Sequence, residues 1–257
     1  MITSKVNRHV QESVKTLKSN IMFSSVDNPI KTLILTSTNA GEGKSTITAL
    51  LGISMAESGK KTLIVDTDLR RPTLGNTLGK RNEKGLCNVL MGEVTTEEAV
   101  VKTEYENLYF LDAGPIPPNP VEIIGSNQFD HFMKTAKDSF DIVIYDMAPV
   151  GLFIEPALVA AKTDGVVLVV AQGETDRKSA VEAKEQLDRA HAKILGVVLN
   201  KVKQSSVTGY YYKDQGYYGY YDYYDEDTGE KREKHQKGAK RKSKKGFLGF
   251  SKKKKWN

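Results

Sequence analysis

Apolar residues follow two different spacings along the chain. Four of them recur at spacings of four and three near its start: Val10, Val14, Leu17 and Ile21. This spacing places one apolar stripe on a helix and predicts an opening helix of about four turns. After Pro29 the apolar residues instead form six short, nearly unbroken runs, at residues 32–36, 62–66, 107–112, 141–146, 165–171 and 194–200. Such runs are typical of strands that are buried on both faces of a parallel sheet.

Helical stretches separate several of these runs, at residues 45–58, 126–138 and 176–191. The alternation of strands and helices predicts a doubly wound α/β fold with a mainly parallel sheet. Ligands of such folds bind where strands end and helices begin. We therefore expect the functional residues directly after Thr36, Val65 and Tyr145.

The last fifth of the chain differs in composition from the rest. Of the 38 Lys and Arg and the 32 Asp and Glu, residues 205–257 contain 14 and 7, which leaves 24 and 25 for residues 1–204. Residues 209–230 are rich in Tyr, Gly and Asp, and residues 231–257 carry 13 basic groups and one acid. Neither segment can build an apolar core, so both are predicted to be disordered in the isolated chain. The predicted organisation is one folded domain at 1–204 with the opening helix inside 1–28, a tyrosine-rich segment at 205–230 and a basic tail at 231–257.

Two features of the whole sequence indicate the cellular compartment in which the protein works. Cys87 is the single cysteine, which excludes an internal disulfide framework and suits a reducing compartment. No apolar run approaches the roughly 18 residues needed to cross a bilayer, and the start of the chain lacks the apolar core of a signal peptide. The sequence thus predicts a cytoplasmic protein that is neither secreted nor membrane-spanning.

A phosphate-binding loop is predicted directly after the first strand. The stretch TSTNAGEGKST contains the GKS of the P-loop pattern at Gly43, Lys44 and Ser45, while Thr38 stands where the pattern has its first glycine. In such a loop the backbone amides face phosphate oxygens, Lys44 supplies charge to the β and γ phosphates, and Ser45 offers a hydroxyl to Mg²⁺. The alternative is a glycine-containing turn that happens to precede a helix. The predicted nucleotide-binding residues of the loop are Thr38, Asn39, Ala40, Gly41, Glu42, Gly43, Lys44, Ser45 and Thr46.

Polar residues at the ends of other strands complete the predicted site. Asp66 and Asp68 lie two positions apart, so on an extended segment their side chains point the same way. Asp146 ends a fully apolar run, where a second acid can hold the metal that Ser45 touches. One such carboxylate can simply start a turn, but three in a chain with a P-loop predict Mg-nucleotide chemistry. Asn200 is either a hydrogen-bond partner of the nucleotide base or a plain turn residue.

Together these motifs resemble the bacterial tyrosine kinases, a P-loop family related to the partitioning and division-site ATPases. The likeness comprises AGEGKST, the second acidic motif LIVDTDLRRP, the stretch GPIPPNPVEII and the Walker B stretch IVIYDMAP, in the family's order and spacing. The related partitioning ATPases carry a signature lysine five residues before the P-loop lysine, where this chain has Asn39. The resemblance therefore favours the kinase branch.

The resemblance implies a role for each polar residue of the site. Lys44 and Ser45 would bind ATP and magnesium, and Asp68 and Asp146 would hold the metal ion. Asp66 would act as a base on the tyrosine hydroxyl. The chain departs from the family where Ala40 replaces a common Pro and where residues 154–156 are Ile-Glu-Pro instead of the more usual Thr-Asp-Ala.

The opening helix carries a second family pattern, of Glu, Arg, Arg, Asn and Ile at fixed spacing, which implies a contact between subunits of a homo-oligomeric ring. Lys cannot make the bidentate fork of Arg, so we expect a weaker contact where this chain has Lys at both Arg positions. The residues that fill the pattern are Glu12, Lys15, Lys18, Asn20 and Ile21.

Nine of the 12 tyrosines lie close together, at Tyr210, Tyr211, Tyr212, Tyr217, Tyr218, Tyr220, Tyr221, Tyr223 and Tyr224. A sticky low-complexity segment and a platform for nucleic-acid bases are alternatives to a kinase substrate. Residues 205–230 carry one Lys and six acids, which repel phosphates and disfavour the nucleic-acid alternative. A coil of sixteen residues spans about 20–24 Å, so the segment can reach its own site or a neighbour's. The resemblance favours phosphorylation by a neighbour in the ring.

Residues 231–257 interleave their basic groups with Phe247, Leu248, Phe250 and Trp256. This composition suits contact with an anionic membrane surface, and equally a tail that only keeps the chain in solution.

The sequence as a whole predicts an ATP-dependent protein-tyrosine kinase that phosphorylates its own tyrosine cluster. The resemblance implies regulation of capsular or extracellular polysaccharide synthesis or export, activation by the cytoplasmic segment of a transmembrane protein, and reversal by a tyrosine phosphatase. It further implies recruitment to the inner face of the membrane, and the acidic charge of residues 205–230 argues against a specific nucleic-acid partner. One alternative is a partitioning or positioning ATPase that acts on DNA or membrane, and another is a catalytically idle scaffold switched by nucleotide.

Overall fold

The computed structural model describes residues 2, 6–24 and 28–203. The predictions for the tyrosine-rich segment and the basic tail lie outside these residues. The elements in chain order are α1 (Arg8–Phe23), β1 (Thr32–Ser37), α2 (Lys44–Glu57), β2 (Thr62–Asp66), α3 (Leu74–Leu78), α4 (Leu86–Leu90), α5 (Thr96–Ala99), β3 (Val101–Lys102), β4 (Leu108–Leu111), α6 (Pro120–Ile124), α7 (Asn127–Ser139), β5 (Ile142–Asp146), α8 (Glu155–Ala160), β6 (Gly165–Ala171), α9 (Arg177–Arg189) and β7 (Ile194–Asn200).

The described strands form one seven-stranded sheet in the order β3-β4-β2-β5-β1-β6-β7. All neighbours pair in parallel except β3 and β4, which are antiparallel. Each of the six apolar runs forms a strand, so the predicted doubly wound, mainly parallel fold is confirmed. The two-residue strand β3 was missed because it is too short to show a period.

Two apolar clusters fill the space on the two faces of the sheet. On one face, side chains of α1, α2 and α3 pack against strand residues such as Leu33 and Ile144. On the other face, α4, α7, α8 and α9 pack against strand residues such as Ile34 and Val143. Because neighbouring residues of a strand point to opposite faces, an unbroken apolar run supplies both clusters at once.

Helix α1 packs along α2 and begins at a side-chain cap. The Oδ1 atom of Asn7 accepts a hydrogen bond from the Val10 amide at 3.0 Å, which satisfies one of the free amides of the first turn. Val14 and Ile21 are buried, whereas Val10, which was predicted on the apolar stripe, is 40% exposed. The stripe therefore meets the core from its second turn onward.

Strand β7 was predicted to be buried on both of its faces, and it is not. It is an edge strand, and none of its residues is fully buried. Val197 and Leu199 are 58% and 54% exposed. The prediction of complete burial was wrong here because an apolar run does not reveal whether a strand has a neighbour on each side.

Candidate active site

The order of the strands brings three strand ends to one place. Strand β5 lies between β1 and β2, and Asp146 at its end is level with Asp66 on one side and Leu35 on the other. The loops after β1, β2 and β5 therefore open at the same edge of the sheet. This is the edge at which functional residues are expected in a doubly wound fold.

The P-loop depends on two glycines. Gly41 and Gly43 have φ angles of 83° and 89°, in the left-handed region that residues with a Cβ rarely adopt. Gly43 is also the N-cap of α2 and supplies no capping side chain, so the amides of the first helical turn remain available to an anion. The loop therefore has the backbone of a phosphate site.

Lys44, Ser45 and Asp146 form a buried contact set at the base of this loop. The Nζ atom of Lys44 lies 2.9 Å from Oδ1 of Asp146, and the Ser45 hydroxyl donates to Oδ2 of Asp146 at 2.6 Å. Thr48, one turn further along α2, donates its hydroxyl to Oδ1 at 2.8 Å. Asp146 is fully buried, so its charge is compensated by these three donors. The structure thus brings together the residues predicted to bind phosphate and metal.

Glu42 organises the P-loop from within, a role that the sequence analysis did not assign to it. Its carboxylate accepts hydrogen bonds from the amides of Thr38 and Asn39, at 2.8 and 3.0 Å, and from the hydroxyl of Thr175 after β6. Asn200, at the end of β7, donates from Nδ2 to the carbonyl oxygen of Glu42 at 2.8 Å. We refer to Glu42, Thr175 and Asn200 as the Glu42 cluster.

The Glu42 cluster also explains the position of Asn200. A Cβ atom added to Gly43 would lie 2.1 Å from Nδ2 of Asn200, so the two residues are in close contact. Asn200 is thus neither a free side chain nor a plain turn residue. It supports the P-loop, and its contact with the nucleotide base remains a prediction.

Asp66 is fully buried beneath the loop that follows β2. Its two carboxylate oxygens accept hydrogen bonds from the amides of Asp68 and Leu74, at 3.2 and 2.9 Å. Burial, together with the neighbouring Asp146 carboxylate, raises the pKa of Asp66 well above its usual range. The role of Asp66 as the base stays a prediction, and contact with a tyrosine hydroxyl would require this loop to move.

Asp68 lines the cleft, which Asp66 does not. Its Oδ2 atom lies 3.9 Å from Nζ of Lys44, and its Oδ1 atom accepts a hydrogen bond from the Arg71 amide at 3.0 Å. Burial raises the pKa of Asp68 as well. Of the two carboxylates in the motif, Asp68 is therefore the one placed to meet a ligand of Lys44.

The loop after β5 closes the other side of the cleft. The hydroxyl of Thr36 donates to the carbonyl oxygen of Ala148 at 2.7 Å and accepts from the amide of Val150 at 3.0 Å. A Cβ atom on Gly151 would lie 2.3 Å from the carbonyl oxygen of Thr38, so this loop touches the P-loop directly. These contacts fix Pro149, Leu152 and Phe153 beside the phosphate site.

Arg70 and Glu155 join the loops after β2 and β5. Both Nε and a terminal nitrogen of Arg70 lie 2.7 Å from Oε1 of Glu155, and the guanidinium carbon lies 4.4 Å from the ring centroid of Phe153. Glu155 occupies the position at which the sequence departs from the resembled family. In the sequence, only that departure and the two arginines after Asp68 could have indicated the pair of Arg70 and Glu155.

Comparison with known proteins assigns the chain to a family. The family model of the AAA domain, AAA_31, matches residues 30–194. The tyrosine-protein kinase YwqD of Bacillus subtilis (strain 168) is 38% identical over 202 residues, which cover 78% of this chain and 85% of that protein. This chain belongs to the bacterial tyrosine kinases.

Solved structures agree with this assignment. The chimerical protein CapA2B2 superimposes on this tyrosine kinase with a TM-score of 0.73 and 37% identity, covering 75% of this chain and 85% of that one. The septum site-determining protein MinD of Pyrococcus horikoshii OT3, solved with Mg-ADP, has a TM-score of 0.56 and 27% identity over 66% and 69% of the two chains. The predicted family and P-loop fold are confirmed, with division-site ATPases as more distant neighbours.

The donor set of this kinase fits Mg²⁺ held together with nucleotide phosphates. Ser45, Asp68 and Asp146 offer the oxygen atoms that Mg²⁺ prefers, and all three lie close to Lys44. In the part of the chain that the structure describes, no three His, Cys, Asp or Glu side chains are grouped closely enough to hold a metal by themselves. Mg²⁺ usually takes one or two carboxylates plus substrate phosphates.

The structure separates the five residues of the opening-helix pattern. Ile21 is buried in the chain's own core, and Lys18 is half-buried with its Nζ donating to the carbonyl oxygen of Ser54 at 3.2 Å. Glu12 and Lys15 are exposed and pair with each other at 2.9 Å, and Asn20 is exposed. Ile21 therefore anchors α1 within the protomer, and a subunit contact through the exposed residues stays a prediction.

Proposed function

We propose that this tyrosine kinase transfers the γ-phosphoryl group of Mg-ATP to the tyrosine cluster of a neighbouring copy, at Tyr210–Tyr224. The observation that supports this proposal most directly is the buried contact of Lys44 and Ser45 with Asp146 beneath an open P-loop. Such an arrangement serves positioning and charge stabilisation, which are the main demands of phosphoryl transfer. The cleft beside it leaves room for an acceptor side chain.

Each residue has one task in the proposed reaction. Ser45, Asp68 and Asp146 hold Mg²⁺, which neutralises phosphate charge when it is bound. Lys44 and the P-loop amides hold the β and γ phosphates. The bond between the γ-phosphorus and the bridging oxygen of ADP breaks while the tyrosine oxygen bonds to phosphorus, and the hydroxyl proton passes to Asp66 after the loop that follows β2 has moved to uncover it.

The proton transfer occurs late in this mechanism. A tyrosine hydroxyl has a pKa near 10 and an ordinary aspartic acid has a pKa near 4, so early deprotonation by an ordinary carboxylate is unfavourable by about six units. Burial raises the pKa of Asp66 and narrows this gap. In a loose transition state the proton leaves the tyrosine hydroxyl after transfer of the phosphoryl group has begun, and Asp66 mainly orients the tyrosine oxygen. Position therefore matters more than basicity.

The proposed setting is regulation of capsular or extracellular polysaccharide synthesis or export. We infer that the cytoplasmic segment of a transmembrane protein activates the kinase at the inner face of the membrane and that a tyrosine phosphatase reverses it. In the described part of the chain no helix is long and apolar enough to cross a bilayer. Exposed Val10 and Phe23 on α1 support a ring in which this helix contacts a neighbour.

A direct test uses the full chain with radiolabelled ATP, followed by mapping of phosphotyrosine. Lys44→Met should abolish labelling, because the lost charge faces phosphate. It also leaves buried Asp146 without its ion-pair partner, so we expect a lower thermal midpoint and the labelling is done well below it. Lys80→Met removes an exposed lysine outside the cleft and should label normally. Undiminished phosphotyrosine in Lys44→Met would contradict the P-loop assignment.

Transfer in trans has its own test. A chain with the nine tyrosines changed to Phe keeps its site but lacks the acceptors, whereas Lys44→Met keeps the acceptors but lacks activity. Mixing the two should label the Lys44→Met chain. If neither chain is labelled while the unaltered protein is, transfer occurs only within one chain.

The alternative function is a positioning ATPase that acts on DNA or membrane, which the likeness to MinD supports. The same labelling experiment separates the two functions. An ATPase of this kind would release labelled phosphate and leave every tyrosine unlabelled, and its turnover would rise with DNA or anionic vesicles.

A further inference from the structure

The active-site cleft has a wall that the transfer of a phosphoryl group does not by itself require. The cleft has a volume of about 420 Å³ and opens between the P-loop and the loops after β2 and β5. Lys44, Ser45 and Asp68 lie on its phosphate side. Besides the P-loop residues and two threonines after β2, the lining includes three apolar residues and two arginines: Pro149, Leu152, Phe153, Arg70 and Arg71.

The two arginines differ in how they are held. The guanidinium group of Arg70 is paired with buried Glu155 and stacked on Phe153, so it is already occupied by contacts within the protein. Arg71 is exposed, and its guanidinium group forms no ion pair within the described residues. Its backbone amide donates to Asp68, so its side chain starts from a fixed point beside the predicted metal ligand.

The apolar part of the wall suits an aromatic acceptor. Leu152 is 55% exposed, and Phe153 already stacks on one guanidinium group, which leaves an amphipathic surface beside the phosphate site. A tyrosine ring can bury its faces on such a surface while its hydroxyl stays polar. A free guanidinium group at the same mouth attracts carboxylates, to which it can bind with two parallel hydrogen bonds.

The chain carries a segment with this chemistry. Residues 205–230 contain six acids and one lysine, and four of the acids lie between or within three positions of the last tyrosines, at Asp222, Asp225, Glu226 and Asp227. We propose that Arg71 makes the cleft an acceptor subsite for tyrosines flanked by Asp or Glu, so that the substrate class is an acidic tyrosine peptide. This inference rests on the proposed function and adds a specificity determinant to it.

The test compares two peptides as acceptors. One has the sequence of residues 216–227, and the other carries Asn and Gln in place of its four acids. The enzyme is the full chain with its nine clustered tyrosines changed to Phe, which removes competing acceptors. Arg71→Gln is compared with Arg81→Gln in the same background, because Arg81 lies outside this cleft and its Nε donates to Asn76 at 2.7 Å.

On the parent enzyme we expect the KM of the amide peptide to be on the order of threefold to tenfold higher than that of the acidic peptide, with similar kcat, as for one or two partly exposed ion pairs. Arg71→Gln should raise the KM of the acidic peptide until the two peptides differ by less than about twofold, with the KM of ATP unchanged. Arg81→Gln should behave as the parent. High salt should reduce the preference, because it screens exposed charges.

Two results would overturn the inference. Equal KM values for the two peptides on the parent enzyme would show that flanking acids are not recognised. A rise in the KM of ATP in Arg71→Gln, with the peptide preference retained, would make Arg71 a nucleotide contact instead. Absence of transfer to either peptide would contradict the proposed kinase function itself, so the two failures are distinguishable.

Discussion

Asp66 and Asp68 belong to one motif but lie in different surroundings. Both are buried, yet the oxygens of Asp66 are taken by two backbone amides of its own loop, whereas Asp68 lines the cleft near Lys44. Asp66 can therefore contact a substrate only when the loop after β2 rearranges. Its local role is to hold the loop that carries Asp68 and Arg71.

We expect Asp66→Asn to retain nucleotide binding and to lose most transfer, on the order of 10²- to 10⁴-fold, because the neutral amide cannot take the proton. Asp68→Asn or Asp146→Asn should instead weaken the magnesium dependence of nucleotide binding. Titration of ATP with and without Mg²⁺ distinguishes these effects, and the thermal midpoint of each variant controls for a disordered loop. The reverse pattern would exchange the roles of base and metal ligand.

Thr175 gives a second prediction at the scale of one residue. Its hydroxyl accepts from the amide of Ala171 at 2.8 Å and donates to Glu42, so it holds the P-loop through another side chain. Thr175→Val removes both bonds and should raise the KM of ATP roughly threefold to tenfold, with kcat little changed, as expected for about 1 kcal/mol. Thr175→Ser should restore the KM.

Thr163→Val is the matched control, because Thr163 donates its hydroxyl to a carbonyl oxygen at the end of α8, away from the P-loop. An equal rise in the KM of ATP in this control would mean that loss of a threonine hydroxyl acts through general stability. So would a Thr175→Ser variant that fails to recover.

At the scale of elements, one carboxylate ties the start of β1 to α7. The Oδ2 atom of Asp164 accepts hydrogen bonds from the amides of Lys31 and Thr32 and from the Thr32 hydroxyl, at 3.0, 2.8 and 2.9 Å. Its Oδ1 atom accepts from Nζ of Lys137 at 2.8 Å. Because β1 leads directly into the P-loop, this contact fixes the strand on which the site depends.

Asp164→Asn should lower the free energy of unfolding by about 1–2 kcal/mol at pH 7, because an amide pairs less well with these donors. Burial alone raises the pKa of Asp164, but the bonds from Lys137 and Thr32 outweigh it and lower that pKa overall. A carboxyl with a lowered folded pKa stabilises above its unfolded pKa, near 4, and loses that stabilisation as the pH falls through the folded value. The difference between the parent and the variant should therefore shrink below about pH 4.

Denaturant unfolding at several pH values measures this difference. Asp130→Asn is the control. Asp130 lies on α7, as Lys137 does, and it pairs with Lys162 on the surface. It should cost less than about 0.5 kcal/mol. A pH-independent loss in Asp164→Asn would show that the carboxylate acts by shape and not by charge.

At the scale of the whole molecule, the proposed reaction changes the charge of its own substrate. Each phosphotyrosine adds about −1.5 to −2 charge, so most of nine sites add well over ten negative charges to a segment already at −5. A tail in a neighbour's acidic site would then be repelled. We expect the opening helix to supply only a weak subunit contact, because Lys15 stands in place of an arginine and Lys18 is bonded to Ser54 within the protomer.

We therefore expect the unphosphorylated protein, or Lys44→Met, to form the larger oligomer, and the phosphorylated protein to be smaller. Light scattering on both forms at one concentration measures the masses. Equal masses would mean that the tail is a substrate but not an assembly switch.

The sequence by itself determined the fold class and predicted the chemistry of the phosphate site. Apolar runs and the GKS of the P-loop are local signals, so the strands, α2, Lys44 and Ser45 could be assigned without knowing what lies next to them. Asp68 and Asp146 could be named for the same reason. The exposure of Val197 and Leu199 on β7 could not be predicted, because the local pattern does not show which strand lies at the edge of the sheet.

The tertiary structure alone decided how these residues are supported and shielded. Arg70 meets Glu155 across 85 positions of the chain, and Glu42 meets Thr175 and Asn200 across 133 and 158. Such pairs arise from the order in which parallel strands are laid side by side, which packing on both faces of the sheet selects. The burial of Asp66 follows from the same packing, and so does the exposure of Arg71, whose guanidinium group has no ion-pair partner among the described residues. No spacing within the motif LIVDTDLRRP distinguishes the aspartate that is covered from the one that lines the cleft.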